Sequence, residues 1–555
     1  MNTSTTKRKN SFDDKNSCKK VKPNDEKVKL SDEKVKPDDI ISTLELFYDS
    51  NSTNASKKTK FMSDLNKMTF HQRKVVESVL VKRVNVCVSG PAGCGKSFVF
   101  DFLKEYALDL LKVNITMTGP TGISAVNING TTINSALQLG GLINYNQINK
   151  KLSKEEYRQS IQMIKILLID EISMVSVKMF KAISYIFEKV HKNNKSFGGI
   201  QVIIGGDFFQ LPPVDEMIFD SLYWKGLNLE YIYLKDVFRQ KDKDFVKVLN
   251  SIRCGKLSTN ELNYLKRFQS PNTNYNGAIK LYYRNSDVNR VNTEVYNALK
   301  STEVKFTARD SSEYHRIIND LELKYNGSDK AEKIKELKSK RDEACKNFYR
   351  ETLSQKELYL KCGARIQVIK NLNDRVANGM LGTLRGWYKR DFNVKRNDNL
   401  DILDTFRMYK RDLGEGVRYE DYDPLVSLDK YPDRYFRIPK VSFDYLVSRA
   451  SIGFGDLEGP DIKGYSRIQY PLKLAYASTV HKSQSLSIPK VDVYADGFDL
   501  SLFYTALSRV IDPLGLRLYN FNHKFLFVKI KQGKERIDKL KKFYNECFKI
   551  DPSKV

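Results

Sequence analysis

The sequence predicts an α/β protein, because three apolar segments each run into a polar or glycine-rich loop. Residues 84–88 alternate apolar and polar side chains as a strand does, and residues 98–111 continue with apolar residues at helical spacing. Residues 166–169 and 201–205 are two further short apolar strands. Strands alternating with helical patterns are typical of the α/β class.

The length and charge of the chain indicate a multidomain protein with a polyanionic partner. The 555 residues, 41% of them hydrophobic, exceed one core and should form about three or four domains. The formal net charge is +27, and only +3 of it lies on residues 1–39. Such a basic body favours nucleic acid as a partner. No apolar run or leader predicts membrane insertion or secretion.

The N-terminal residues 1–58 have few aromatic side chains and many Lys, Asp, Ser and Asn, which predicts a disordered tail. The basic clusters Lys7–Lys9 and Lys19–Lys22 are spaced as in a bipartite nuclear import signal, although a solvated tail explains them equally well. The seven cysteines form no C-x-x-C pair, so neither a zinc site nor a disulfide framework is expected. Reduced thiols in an intracellular protein, in a nucleus or a viral replication compartment, are the simplest interpretation.

The loop after the first strand matches the phosphate-binding pattern G-x-x-x-x-G-K-[ST] at every position. It consists of Gly90, Pro91, Ala92, Gly93, Cys94, Gly95, Lys96 and Ser97. Glycines let backbone N–H groups converge on phosphate oxygens, and the following helix directs its positive end at them. We expect Lys96 to reach the β and γ phosphates and Ser97 to ligate Mg²⁺. A chance glycine-rich turn fits the flanking strand and helix poorly.

Carboxylate and amide side chains near this loop suit nucleotide chemistry. Asp170 and Glu171 close an apolar strand, where the first can hold Mg²⁺ through water and the second can polarise the attacking water. Gln72 precedes the loop, and its amide can pair with N6 and N7 of adenine, although a lone Gln is normally a surface residue. Gln210 follows the strand at 201–205 and is positioned to sense the γ phosphate.

Two arginines follow apolar segments in the blocks LKDVFRQ and YTALSRV. These are Arg239 and Arg509. In a chain with 94 basic residues, neither would be informative on its own.

Taken together, the blocks resemble the PIF-type helicases of superfamily 1, the branch that moves 5′ to 3′ on single-stranded DNA. They are GPAGCGKS, GPTGISAVNINGTTINS, LLIDEISMV, FGGIQVIIGGDFFQLPPV, VFRQ, LKCGARIQVIKN with NGMLGTL, LAYASTVHKSQSLSI and YTALSRV. They span roughly residues 64–520 in the family's order, and residues 197–214 are the most specific part.

The resemblance implies an ATP- and Mg²⁺-dependent DNA helicase of replication, repair or recombination, with two RecA-like P-loop domains that clamp ATP. Arg239 and Arg509 would contact the γ phosphate from the second domain. Single-stranded and forked duplex DNA would be the partners of a monomer, with no membrane. The rival interpretations are an RNA or hybrid helicase, and an ATPase that remodels nucleic-acid complexes without unwinding.

The resemblance also implies DNA contacts, some of which depart from the family's pattern. They are Thr121, Asn134, His481, Lys482 and Ser485. Asn134 stands where the family usually has His, and Ser485 and Ser487 replace the Gly and Thr of the KSQG-x-T block. Ser485 matters most, because glycine there permits close backbone approach to DNA.

The implied domain order includes a small wedge insertion in the first domain and a small β-barrel insertion in the second. The expected ranges are 1–58 (tail), 59–235 (first domain, wedge 138–160), 236–384 (second domain, charged helical insert 311–356), 385–470 (β-rich insertion), 471–530 (second domain resumed) and 531–555 (C-terminal helix). One face of that helix is apolar and should dock onto the core. It carries Ile537, Leu540, Phe543, Tyr544, Cys547 and Phe548.

Overall fold

The computed structural model contains two parallel α/β sheets and, between them in the chain, a mainly antiparallel body. It describes residues 37–52, 54–139, 143–212, 216–269, 277–324, 329–352, 354–373, 375–376, 378–389, 409–410, 413, 418–447, 462–484 and 486–553. Within these ranges no helix is both long and apolar enough to cross a membrane.

The first domain is a six-stranded sheet in the order β3-β2-β4-β5-β1-β6, with every pairing parallel. Its elements are α1 (Pro37–Asn51), α2 (Ala55–Asn66), α3 (Phe70–Leu80), β1 (Val86–Ser89), α4 (Lys96–Leu111), β2 (Ile115–Gly119), α5 (Gly122–Asn127), β3 (Thr131–Thr132), α6 (Ile133–Ala136), α7 (Tyr145–Leu152), α8 (Glu155–Gln162), β4 (Ile166–Ile169), α9 (Val177–His191), β5 (Gln201–Gly206), α10 (Leu222–Lys225) and β6 (Glu230–Tyr233). Strands β1, β4 and β5 are neighbours, so the loops that follow them meet at one edge.

The expected disordered tail is wrong for the part that forms α1. Ile40, Leu44 and Tyr48 recur every four residues and are buried on one face of this helix. The ring of Tyr48 lies 4.8 Å from that of Phe61 in α2. This apolar face attaches α1 to the first domain. Residues 1–36, which include both basic clusters, lie outside the described residues.

The expected wedge at 138–160 includes α7 and most of α8. Ile148, Tyr157 and Ile161 are buried within the same core as α9. The two helices therefore pack on the first domain, and their role in separating strands stays a prediction.

The second domain begins with α11 (Lys243–Arg253), α12 (Thr259–Lys266), β7 (Ile279–Tyr282) and α13 (Asn285–Asn297). The chain then enters the inserted body. Its elements are β8 (Glu303–Thr307), β9 (Arg309–Ser311), α14 (Glu313–Lys324), α15 (Asp329–Glu351), β10 (Glu357–Lys361), β11 (Arg365–Val368), β12 (Leu381–Lys389), β13 (Tyr409–Lys410), β14 (Tyr422–Leu428), β15 (Tyr431–Arg437), β16 (Val441–Val447), β17 (Ile462–Gln469) and β18 (Leu472–Leu474).

The inserted body is larger than the range 385–470 expected from the sequence. Val304 of β8, Leu358 of β10 and Ile366 of β11 share one core with Trp387 of β12. The body therefore begins near residue 303, and residues 303–384 do not belong to the second parallel sheet. The described strands run in the order β15-β14-β12-β11-β18, with β8 paired to β10 and β16-β17-β9 as a separate sheet.

The charged insert expected at 311–356 contains the two helices α14 and α15, which contact β17. Their shared core includes Tyr314, Ile318 and Leu337. Beside this core, Arg467 of β17 forms an ion pair with Asp310 at 2.7 Å. Arg467 also donates to Oη of Tyr349 in α15 at 3.0 Å, so the helices are anchored to the inserted body through apolar contacts and a hydrogen bond.

The chain returns to the second domain with β19 (Ala477–Thr479), α16 (Val480–Ser483), β20 (Val491–Tyr494), α17 (Leu500–Leu507), β21 (Leu516–Tyr519), α18 (His523–Gln532) and α19 (Lys534–Phe543), which ends in a π turn (Tyr544–Phe548). The sheet order is β19-β7-β20-β21, all parallel. The expected docking of the last helix is confirmed. Phe543 stacks on Phe219 of the first domain, with ring centroids 4.1 Å apart.

Candidate active site

The loop between β1 and α4 is held closely from both sides. Gly93 and Gly95 adopt φ of +81°, a conformation that glycine tolerates best. A Cβ atom at Gly90 would lie 2.5 Å from the backbone oxygen of Leu234, and one at Gly95 would lie 2.5 Å from Nε2 of Gln72. Close packing as well as backbone conformation therefore requires glycine here.

Lys96 is the first residue of α4, and its ammonium group lies over the loop. Nζ donates to the backbone oxygens of Gly90 at 3.0 Å and Pro91 at 3.3 Å, and contacts Sγ of Cys94 at 3.3 Å. Burial alone would lower the pKa of Lys96, but Cys94 and the nearby carboxylates outweigh it and raise the pKa. The lysine is therefore held at the loop in its charged form.

The side chain of Gln72 connects α3 to the same loop. Its Oε1 accepts a hydrogen bond from Thr69 N at 3.0 Å, and its Nε2 donates to Cys94 O at 3.4 Å. Only 2% of Gln72 is exposed. The amide thus lies at the nucleotide loop, while its pairing with adenine stays a prediction.

The carboxylates of Asp170 and Glu171 are both buried at the end of β4. Glu171 has φ of +50°, and its Oε2 accepts from Gln484 Nε2 at 3.0 Å. Burial, followed by the charge of Glu171, raises the pKa of Asp170. Oδ1 of Asp170 is buried with no hydrogen-bond partner. Such an orphaned oxygen fits a hydrated Mg²⁺, an ion that commonly takes one or two carboxylates plus phosphate and water.

Within the described part of the chain, no group of three or more His, Cys, Asp and Glu side chains could hold a metal ion. A dedicated protein cage for a metal is therefore not present in those ranges. The single carboxylate of Asp170 with the hydroxyl of Ser97 is the donor set that would suit Mg²⁺ on a nucleotide.

Two guanidinium groups and an amide meet across the cleft between the parallel sheets. Arg509 is 1% exposed, and its Nη2 lies 3.5 Å from Oε1 of Gln210. Nη1 of Arg239 donates to the backbone oxygen of Ser508 at 2.9 Å. Burial, followed by the charge of Arg239, lowers the pKa of Arg509 to about 9. Because the two guanidinium groups repel each other and have little contact with solvent, an anion bound between them would be strongly stabilised.

The sequence-based assignment of Arg239 to the second domain is corrected by its position. It lies in the connection from β6 to α11, where the preceding residue, Phe238, donates its N–H to Gly93 O at 2.8 Å. A Cβ at Gly93 would lie 2.5 Å from Cβ of Arg239. The connection thus runs along the nucleotide loop, because the chain leaves the first sheet beside β1.

A tyrosine of α17 joins the second domain to the loop directly. Oη of Tyr504 accepts from Ala92 N at 3.0 Å and donates to Oδ2 of Asp207 at 3.1 Å. Asp207 in turn forms an ion pair with Arg253 at 2.8 Å, and both side chains are fully buried. The cleft therefore has a polar anchor in its interior.

Sequence reasoning missed Phe238 and Gln484. The ring of Phe238 is 54% exposed and would lie 3.4 Å from a Cβ at Gly95, so its face is available to stack on a base near the loop. The sequence feature that could have identified Phe238 is its position as an aromatic residue next to Arg239. Gln484 lies in the block that supplied His481 and Lys482, but its contact with Glu171 joins segments 313 residues apart and has no local signal.

The predicted DNA contacts follow the carboxyl ends of strands in both sheets. Thr121 follows β2 and bonds Ser124 Oγ at 3.0 Å, while Asn134 follows β3 and has a buried, unpartnered Oδ1. His481 and Lys482 lie in α16 after β19 and are exposed. Although the residue as a whole is exposed, partial desolvation of its imidazole lowers the pKa of His481, which favours the neutral form. Ser485 lies outside the described residues.

Comparison with known proteins finds similarity to PIF1-like helicases. A profile of PIF1-like helicases matches residues 65–263. The ATP-dependent DNA helicase PIF1 of Emericella nidulans is 28% identical over 481 residues, covering 82% of this chain and 61% of that protein. The ATP-dependent DNA helicase RRM3 of Saccharomyces cerevisiae is 28% identical over 500 residues, covering 82% and 65%. The chain thus spans less than two thirds of these curated relatives.

The fold agrees with this similarity. The crystal structure of Pif1 helicase from Candida albicans superposes with a TM-score of 0.65 at 27% identity, covering 85% of this chain and 99% of that one. The predicted fold class, two RecA-like domains of the α/β class, is confirmed. With its phosphate loop, acidic strand end and paired arginines in one cleft, this chain is similar to the PIF1-like helicases in sequence and in fold.

Proposed function

We propose that the protein is an ATP-dependent DNA helicase that moves 5′ to 3′ on single-stranded DNA and unwinds forked duplexes. The observation that carries the proposal is that Arg239 lies against the loop that holds Lys96 and bonds Ser508, next to Arg509, whose guanidinium lies 3.5 Å from Gln210. Cationic groups contributed by both domains and by their connection suit a phosphate chain between them. Two of the relatives described above bear the name ATP-dependent DNA helicase.

In this proposal each side chain has a separate task at the γ phosphate. Lys96 would leave the loop carbonyls and bind phosphate oxygens, while Glu171 would accept a proton from the attacking water. Arg509 and Arg239 would stabilise the charge that develops when the cleft closes, and Gln210 would sense whether the γ phosphate is present. Ser97 and Asp170 would hold Mg²⁺, which neutralises phosphate charge when bound.

The nucleic-acid part of the proposal rests on the charge and on the strand-end residues. A body with most of the +27 net charge would bind phosphates with strong dependence on salt. Thr121, Asn134, His481, Lys482 and Ser485 would contact the strand. Movement of one domain relative to the other would shift these contacts along it once per ATP.

The test is a strand-separation assay with duplexes that carry either a 5′ or a 3′ single-stranded tail, beside ATP turnover with and without single-stranded DNA. Separation with the 5′ tail only is expected. Lys96→Ala should abolish separation, and Lys178→Ala, an exposed lysine in α9, should not. Separation with the 3′ tail only would contradict the proposed polarity.

Two other outcomes would favour the rival functions. ATP turnover stimulated by DNA without separation of either substrate would favour a remodelling ATPase. Preference for RNA tails over DNA tails of the same sequence would favour an RNA or hybrid helicase, since the 2′-OH is the group that distinguishes them.

A further inference from the structure

The C-terminal helix buries apolar surface and also makes contacts with both domains at the cleft. Its buried face packs against the loop that follows β5. The ring of Phe543 lies 5.3 Å from that of Phe208, and the ring of Tyr544 lies 5.2 Å from that of Phe209. Oη of Tyr544 also lies 2.6 Å from Oγ of Ser89, the last residue before the phosphate loop. The end of the chain is thus part of the cleft's surroundings.

Arg536, near the start of α19, forms the most specific of these contacts. Its Nη2 donates to the backbone oxygens of Phe208 and Gln210, each at 3.0 Å. Its Nη1 donates to Oγ of Ser501, in the first turn of α17. One guanidinium group therefore holds the loop that carries the proposed γ-phosphate sensor and the helix that leads to Arg509.

This geometry uses properties that only arginine has. A planar fork can donate to two neighbouring carbonyls and to a third acceptor without rotating, whereas an ammonium group is a single nitrogen. Burial lowers the pKa of Arg536, and the charges of Asp499 and Asp207 oppose that effect. The cost of burying the group indicates that its three contacts matter to the fold of the loop.

The groups that accept hydrogen bonds from Arg536 connect it to both Gln210 and Arg509. Gln210 is attached through its backbone to Arg536 and through its side chain to Arg509 at 3.5 Å. Ser501 lies in the first turn of α17, and Arg509 follows the C-cap Ser508 at the other end, so the orientation of the helix affects the position of Arg509. Arg536 can therefore set the relative position of sensor and arginine without touching the nucleotide.

We infer that Arg536 is a positioning residue that aligns Gln210 with Arg509, so that the C-terminal helix is a working part of the ATPase. This inference rests on the proposed function. Loss of the guanidinium group leaves the phosphate loop and nucleotide pocket in place but lets the sensor loop and α17 move independently. The chemical step then slows while nucleotide binding persists.

The experiment measures DNA-stimulated ATP turnover of the full chain carrying Arg536→Ala, Arg536→Lys, Ser501→Ala or both alanine substitutions. Arg536→Ala should lower kcat about tenfold or more and change KM for ATP less than twofold, since the lost contacts act on the transition state. Arg536→Lys should recover only part of kcat. Lys534→Ala, an exposed lysine in the same helix, is the matched control and should behave as wild type.

The Ser501 variant keeps the inference testable even if Arg536→Ala fails to fold. Ser501→Ala should lower kcat by a smaller factor, and its effect should vanish in the Arg536→Ala background because both remove the same contact. Wild-type kcat in Arg536→Ala, full recovery by lysine, or independent effects of the two alanine substitutions would overturn the inference. Absence of DNA-stimulated turnover in the wild type would instead overturn the proposed function.

Discussion

Removing one partner of the buried ion pair between Asp207 and Arg253 should destabilise the protein around the cleft more than removing both. Both side chains have no exposed surface, and Oδ1 of the carboxylate lies 2.8 Å from Nη2 of the guanidinium. The guanidinium also lies 4.3 Å from the ring of Phe209. The variants are Arg253→Met, Asp207→Asn and the double substitution, each of which keeps most of the side-chain volume.

The magnitude follows from what each variant leaves behind. Arg253→Met leaves a carboxylate with no cation in a fully buried site, which should lower the free energy of unfolding by about 3–5 kcal/mol. The double variant leaves no charge, but the hydroxyls of Tyr504 and Tyr544 lose a charged acceptor, which should cost about 1–3 kcal/mol. Asp207→Asn leaves a buried guanidinium without its carboxylate and should cost about as much as Arg253→Met, so the coupling free energy between the two positions should be at least about 3 kcal/mol.

The acid side of the stability profile should change in the same way. Burial by itself would raise the pKa of Asp207, but the charge and hydrogen bonds of Arg253 lower it. Because the pKa in the folded protein is depressed, the stabilisation is present above the ordinary aspartate pKa and lost as pH falls through the folded value. This loss should be absent from the double variant.

Tryptophan fluorescence can report unfolding around this ion pair, because the chain has only two tryptophans. The ring of Trp224 lies 5.8 Å from that of Phe208, next to Asp207, and Trp387 lies in the inserted body. In a Trp387→Phe background, urea unfolding followed by fluorescence reports the surroundings of the pair rather than an average over domains. If the double variant loses as much stability as the two single variants combined, the pair is not coupled and the reasoning is refuted.

Three further predictions concern the nucleotide. Lys96→Ala should abolish ATP turnover and leave single-stranded DNA affinity nearly unchanged, measured by phosphate release and fluorescence anisotropy; retained turnover would contradict the loop assignment. Arg509→Lys and Arg239→Lys should each lower kcat by up to about 10³-fold while nucleotide affinity persists, because a point charge cannot replace the planar fork; near-normal kcat in both would contradict the cleft geometry. Phe238→Ala should raise KM for ATP several-fold with little change in kcat, whereas Phe238→Tyr should not; an unchanged KM in the alanine variant would exclude stacking.

Local patterns in the sequence predicted the strand ends of the first domain well. The phosphate loop and the acidic strand end are specified within a few residues, since their chemistry needs a strand, a turn and a helix in succession. Helix α1 was missed although Ile40, Leu44 and Tyr48 recur at four-residue spacing. The sequence around that helix is mostly charged, so its narrow apolar stripe was overlooked. Such a stripe suffices to attach a helix when the surface of a domain can cover it.

The inserted body and the contacts across the cleft could not be predicted in the same way. Strand β8 pairs with β10 about fifty residues later, after α14 and α15, so no local signal joined them. The contact from Arg536 to Phe208 joins residues 328 positions apart. Such contacts depend on how complete domains pack. An apolar pattern within one helix predicts that the helix packs on the core, but not which residues it contacts.

Two contacts across the cleft differ in burial and length, and the difference indicates which of them stays fixed when the domains move. The pair between Asp207 and Arg253 is short, ionic and inaccessible to water, and separating it would expose two charges to an apolar interior. The contact between Arg509 and Gln210, at 3.5 Å, is at the upper limit for a hydrogen bond and gives up little if it changes. Domain movement that preserves the first contact must therefore take place mainly at the second. Such movement would displace Arg509, which is the charged group that the proposed reaction requires to approach the γ phosphate.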